Sequence, residues 1–154
     1  MLTKERSRSL SEIDRTRLVR IVDFLADELE DAPQFEAMDV ERYATDRDFR
    51  RSVERWVENL VNASIDAAKI VLASERRPVP QTYRETLEML ATVEGFREHD
   101  AMAHRLAANT RIRNMLAHEY LDLRYTQVNN VVDHAGQTYA ALVDALRAWM
   151  AATA

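Results

Sequence analysis

Apolar residues recur at steps of three and four along most of this 154-residue chain, the spacing of one buried helical face. Ile13, Leu18, Ile21, Val22, Leu25 and Leu29 form the first stripe. Ser11 precedes it as an N-cap, with Asp14 in the first turn, and Pro33 lies beyond its end. Residues 31–44 read as a connector whose Phe35, Met38 and Tyr43 tuck onto the bundle. Thr45, with Asp48 three residues on, predicts the start of a long helix reaching about Ser74. Its stripe is Phe49, Val53, Trp56, Val57, Leu60, Ser64, Ile65, Ala68, Val71 and Leu72. The small residues Ala63, Ser64, Ala67 and Ala68 let a neighbouring helix approach closely. Pro78 and Pro80 end that run. Thr82 and Glu85 form a capping box for a short helix with Tyr83, Leu87 and Leu90 inward, and Gly95 marks its stop. Asp100 is the expected cap of a helix carrying Met102, Leu106, Ile112, Met115 and Leu116 and ending near 118–123. Thr126 is the expected cap of the last helix, with Val128, Val131, Val132, Ala135, Tyr139, Leu142, Val143 and Leu146 inward. These elements predict an all-α, up-and-down four-helix bundle with an additional short helix. One domain is expected over residues 1–154, with residues 1–10, polar and charged, fraying.

Composition supports a helical chain: 47% of residues are apolar and 31% charged, with only two glycines and three prolines. There is no cysteine, which removes disulfides, thiolate zinc sites and iron–sulfur clusters, and fits a cytoplasmic location. The first residues lack the apolar region of a secretory signal, and no apolar run is long enough to span a bilayer. The formal net charge is −5, so a broad basic face for nucleic acid is not expected, although a local basic site is compatible with it.

The segment Ala107–Leu123 changes that picture. It contains Arg113, then His118 five positions later, then Tyr120. No acidic residue occurs from Ala101 to His118, where Arg105, Arg111, Arg113, His104 and His118 gather. An anion is least repelled here. Asn114 and His118 share a helical face, whereas Arg113 and His118 point roughly 140° apart on one helix. The site therefore closes either by a bend near His118 or by a symmetric dimer that brings two copies of the segment together, the reading we favour. Such residues suit RNA cleavage by the substrate's own 2′-hydroxyl. A histidine near neutral pKa moves the proton, and an arginine stabilises the developing phosphorane charge. A tyrosine stacks on a base or binds phosphate, and Asn114 holds the imidazole or a phosphate oxygen. Each residue also has a plainer explanation. Arg113 is then an ion-pair partner of Glu119 or Asp122, His118 a cation at a helix C-terminus, and Tyr120 a rim-of-core aromatic. The residues alone leave both explanations open.

Arg113-Asn114-x-x-x-His118-x-Tyr120 resembles the R-x4-H-x-Y motif of the HepT-like toxins (DUF86), helical ribonucleases of the HEPN superfamily. Residues 63–91 resemble the family's second long helix, Pro-containing connector and short following helix, and the likeness extends over about 10–147. It implies the toxin of a type VII-like toxin–antitoxin pair, a metal-independent endoribonuclease with Arg113 and His118 as catalytic residues across a homodimer cleft. It also implies neutralisation by a cognate, MntA-like nucleotidyltransferase antitoxin that transfers AMP to Tyr120. AMP adds bulk and negative charge where RNA would lie. Asn114 supports the site, and Arg105 and Arg111 are candidate RNA contacts. Thr110-Arg111-Ile112 departs from the more apolar, glycine-containing approach typical of the family. The implied partners are a second copy, the antitoxin and RNA, with no membrane, no cofactor and no metal. His99, His104 and His134 do not have the clustered spacing of a zinc site. Trp56 and Trp149 read as core or dimer contacts, and Met89, Met102 and Met115 as packing. No glycine-rich phosphate loop or GxSxG elbow occurs. The alternative function is a non-catalytic helical dimer that binds a nucleotidyltransferase or nucleotide.

Overall fold

A computed structural model describes residues 10–118 and 120–153, with His118 described by its backbone alone. Residues 1–9, expected to fray, and Glu119, offered above as a partner of Arg113, lie outside the described residues. Every regular element among the described residues is helical, as the periodicity predicts: α1 (Glu12–Glu30), α2 (Ala32–Glu36), α3 (Val40–Thr45), α4 (Arg47–Ser74), α5 (Tyr83–Leu90), α6 (Asp100–Asn109), α7 (Ile112–His118) and α8 (Leu121–Ala152). Helices α1, α4 and α8 and the α6–α7 pair surround one apolar core, and α5 packs between α4 and α6. Among these helices, none is long and apolar enough to cross a membrane.

The local signals account for most boundaries. Ser11 Oγ accepts from the Asp14 amide at 3.1 Å, and Thr82 Oγ1 from the Glu85 amide at 3.2 Å. Gly95 takes φ +95°, the left-handed turn that ends the α5 segment. The connector buries Phe35, Met38 and Tyr43 as expected, but it is helical rather than irregular. Pro33 sits in the first turn of α2, where no amide is needed, and Asp39 caps α3 by accepting from the Arg42 amide at 2.7 Å.

Several boundaries differ from expectation. Thr45 does not cap α4: it still belongs to α3, its hydroxyl donates to Glu41 O, and Asp46 accepts from the Phe49 amide instead. Asp100 is likewise inside α6, which follows a 3₁₀ turn at Arg97–His99. Helix α8 begins at Leu121, not after Thr126, whose hydroxyl donates to Asp122 O within the helix. Tertiary contacts hold that early first turn. Arg124 forms an ion pair with Glu54 of α4, the Tyr43 hydroxyl donates to Glu54 Oε1 at 2.7 Å, and the Tyr125 and Tyr43 rings meet at 5.5 Å. Burial alone would lower the Arg124 pKa, but the hydrogen bond and charge of Glu54 raise it overall. Ile13 lies outside the core, because the first turn of α1 is tied down instead by Arg15, which donates to Met150 O.

The expected single helix across 100–118 is broken at Thr110–Arg111. Neither glycine nor proline causes the break. Buried Asn109 donates from Nδ2 to the Tyr139 hydroxyl at 3.1 Å, and its Oδ1 lies 3.2 Å from His134 Nε2. The end of α6 is thus clamped to α8, while the Thr110 hydroxyl donates back to Ala107 O at 2.7 Å. Helix α7 then restarts in a new direction with Ile112 buried.

Desolvation, and then the charge of Arg105, hold the His134 pKa below its ordinary value. The unfolded chain therefore binds this proton more readily than the folded one. Its contribution to stability is intact above the unfolded pKa of about 6.5 and is lost as pH falls through that value toward the lower folded one. Chemical unfolding measured from pH 7.5 to 5 should show stability falling, with a shallower fall in His134→Gln.

Candidate active site

Helix α7 carries the motif. Its buried Ile112 and half-buried Met115 and Leu116 rest on the core, which turns Arg113 and Asn114 to solvent. His118 is the last residue of this helix, so Arg113 and His118 lie on one helical segment. The His118 side chain lies outside the described residues.

Arg113 is not paired with Asp122. Its guanidinium donates from Nη1 to Asn62 Oδ1 of α4 at 2.7 Å, and its Cζ stands 4.5 Å from the centre of the Tyr83 ring of α5. Both partners are neutral. Among the described residues these two fix the guanidinium, by a hydrogen bond and a cation–π contact, and neither carries a charge that would cancel its own. Tyr83, expected inward, is instead 41% exposed and serves as the platform for Arg113. It occupies the first position of α5, beyond the turns that pack on the core. A hollow between α1 and α4, lined by Arg20, Phe24, Asn59 and Asn62, opens beside this contact.

Tyr120 lies between α7 and α8 in extended backbone (φ −69°, ψ 159°) and is 82% exposed. It is not a rim-of-core aromatic. Its carbonyl accepts from the Arg124 amide at 2.9 Å, so the Arg124–Glu54 pair also fixes where Tyr120 emerges. Asn114 and Arg111 are exposed. Arg105 is exposed on α6 and acts electrostatically on His134, away from the Asn62–Tyr83 cradle. The structure therefore joins Arg113 to two residues that spacing did not indicate, Asn62 and Tyr83. The signal for Asn62 was a polar amide between the apolar residues Val61 and Ala63 of the long helix. Among the described residues no group of three or more histidines, aspartates or glutamates is placed to hold a metal ion.

The fold has a counterpart in a known structure. A crystal structure of a toxin–antitoxin MntA–HpeT mutant contains a chain similar to this one, with TM-score 0.73 at 20% identity, over 85% of this chain and 97% of that one. At that identity the likeness concerns the fold. No curated protein matches the chain. The family model described as ribonuclease HepT-like matches residues 15–146, which include all of α4, α5, α6 and α7 and hence Asn62, Tyr83, Arg113, His118 and Tyr120. The chain belongs to the HepT-like ribonuclease family.

Proposed function

We propose that the protein is the toxin of a toxin–antitoxin pair and cuts RNA without a metal, at a cleft formed by two copies of the α7 segment. The observation that carries this reading is the guanidinium of Arg113 held between two neutral described partners, Asn62 and Tyr83, on the helix that carries His118. In the proposed reaction neutral His118 takes the proton of a ribose 2′-hydroxyl. The oxygen attacks the adjacent phosphorus, the bond to the 5′-oxygen breaks, and the leaving oxygen regains a proton. The nucleophile comes from the substrate, so no activated water is required. Arg113 stabilises the charge on the non-bridging oxygens, and Asn114 positions phosphate or imidazole. The second copy brings its His118 imidazole to this Arg113, which closes the roughly 140° gap between Arg113 and His118 on one helix. Arg111 and Arg105 are the proposed outer RNA contacts.

Regulation follows from the exposure of Tyr120. Its hydroxyl is open to a transferase, which would attach AMP from ATP with loss of pyrophosphate. The added phosphate then excludes RNA from the cleft by bulk and charge. The toxin–antitoxin origin of the similar crystal structure supports an MntA-like nucleotidyltransferase as the partner.

Purified protein should cleave RNA in excess chelator, and His118→Ala should abolish cleavage with thermal unfolding unchanged. Equal cleavage by His118→Ala would refute the assignment. Co-expression with an MntA-like nucleotidyltransferase should add AMP-sized mass increments to Tyr120. Increments without cleavage by unmodified protein would instead favour a non-catalytic partner of that enzyme.

The neutrality of the cradle gives a sharper expectation. Asn62→Asp places a carboxylate against Arg113 and spends its charge, so the cleavage rate should fall on the order of tenfold or more. Asn62→Ala, which only loosens the guanidinium, should cost less. A role confined to holding Arg113 predicts the reverse order, because an ion pair holds it more firmly.

A further inference from the structure

The Tyr83 ring carries two cations. Arg113 Cζ lies 4.5 Å from its centre, and Lys69 Nζ of α4 lies 5.1 Å from it. Two like charges on one aromatic ring repel each other, and an anion lying across them relieves that repulsion. They come from separate helices and no more than about 10 Å can separate them, the two distances taken together. Asn62 and Lys69 are seven residues apart on α4. They therefore face within roughly 20° of one another, about 10 Å apart along the axis. Arg113 is anchored at one end of this strip and Lys69 stands at the other. Asp66 lies on the same exposed stripe between them, yet makes an ion pair with neither. Lys69 thus has its charge available, in a chain whose net charge is −5.

We propose that Lys69, presented across the ring of Tyr83, is a second phosphate-binding point of the site, taking a backbone phosphodiester of single-stranded RNA next to the one held by Arg113. Paired cations at this separation suit consecutive phosphates of one flexible strand, with Tyr83 as an apolar floor between them. The proposal rests on RNA being the substrate, and it adds a subsite that the motif does not contain. Lys69 binds and orients the strand, and Arg113 serves the reacting phosphate.

The test is binding rather than turnover, so that it is separable from the nuclease reading. A labelled single-stranded 2′-O-methyl oligonucleotide, which lacks the attacking hydroxyl, is titrated with the full-length protein by fluorescence anisotropy at several salt concentrations. Lys69→Gln should weaken binding several-fold at low salt. It should also lower the slope of log affinity against log salt by about 0.7, the value of one phosphate contact on a single strand. Lys69→Arg should restore both, and Asp66→Asn should tighten binding. Coincident thermal unfolding curves exclude a folding defect, and among the described residues Lys69 makes no ion pair to lose. Unchanged affinity and slope in Lys69→Gln, or no binding by the wild type, overturns the proposal. The expected binding pattern in a protein that cuts no RNA upholds the subsite and overturns the nuclease reading alone.

Discussion

The helical phase of α4 is the constraint on which the site depends. This helix of 28 residues buries one stripe in the core, and its remaining positions follow at fixed angles. Glu54 falls at the margin of the buried face and receives Arg124, which sets the start of α8 and the place where Tyr120 emerges. Asn62, two turns later, falls on the exposed stripe and receives Arg113. Lys69, two turns later again, reaches the ring under Arg113. One rigid element thereby positions groups contributed by α5, α7 and α8, and apolar burial along its inner face prevents it from rotating.

Charge decides what this arrangement can do. A guanidinium already paired with a carboxylate has little left for a phosphate. Arg113 is held by an amide oxygen and an aromatic ring, which supply geometry and leave the charge. Glu54 and Arg124 show the opposite use of the same residue types: that pair is largely withdrawn from solvent, mutually neutralised and structural. The absence of acidic residues from Ala101 to His118 has its physical sense here, since a carboxylate in α6 or α7 would compete for the same cation.

The helices and the core were legible because periodic apolar residues report burial directly. Leu87, Leu90 and the whole inner stripe of α8 from Val128 to Leu146 are buried as their spacing indicates. Ser11 and Thr82 were legible as caps because the cap and the amide it serves are three residues apart. The break at Thr110 was not, because it depends on Asn109 meeting Tyr139 and His134 from a helix 25 to 30 residues away. The early start of α8 similarly depends on Glu54, 70 residues before Arg124. The site divides along the same line. Arg113, His118 and Tyr120 sit close together in one segment, whereas Asn62 is 51 residues from its partner and carried no periodic signal. Tyr83 was misassigned because its spacing from Leu87 and Leu90 fits the inner face, while its position at the very start of α5 leaves it outside.

The central claim is that one catalytic cleft draws its guanidinium and its imidazole from two copies of the chain. Mixed dimers test it directly. Arg113→Ala and His118→Ala proteins, each inactive alone, are unfolded together, refolded as a mixture, and assayed for RNA cleavage beside the wild type. Return of a substantial part of the wild-type rate is predicted, because a mixed pair rebuilds one complete set of groups. A mixture as inactive as its components, while the wild type cuts, would contradict the account.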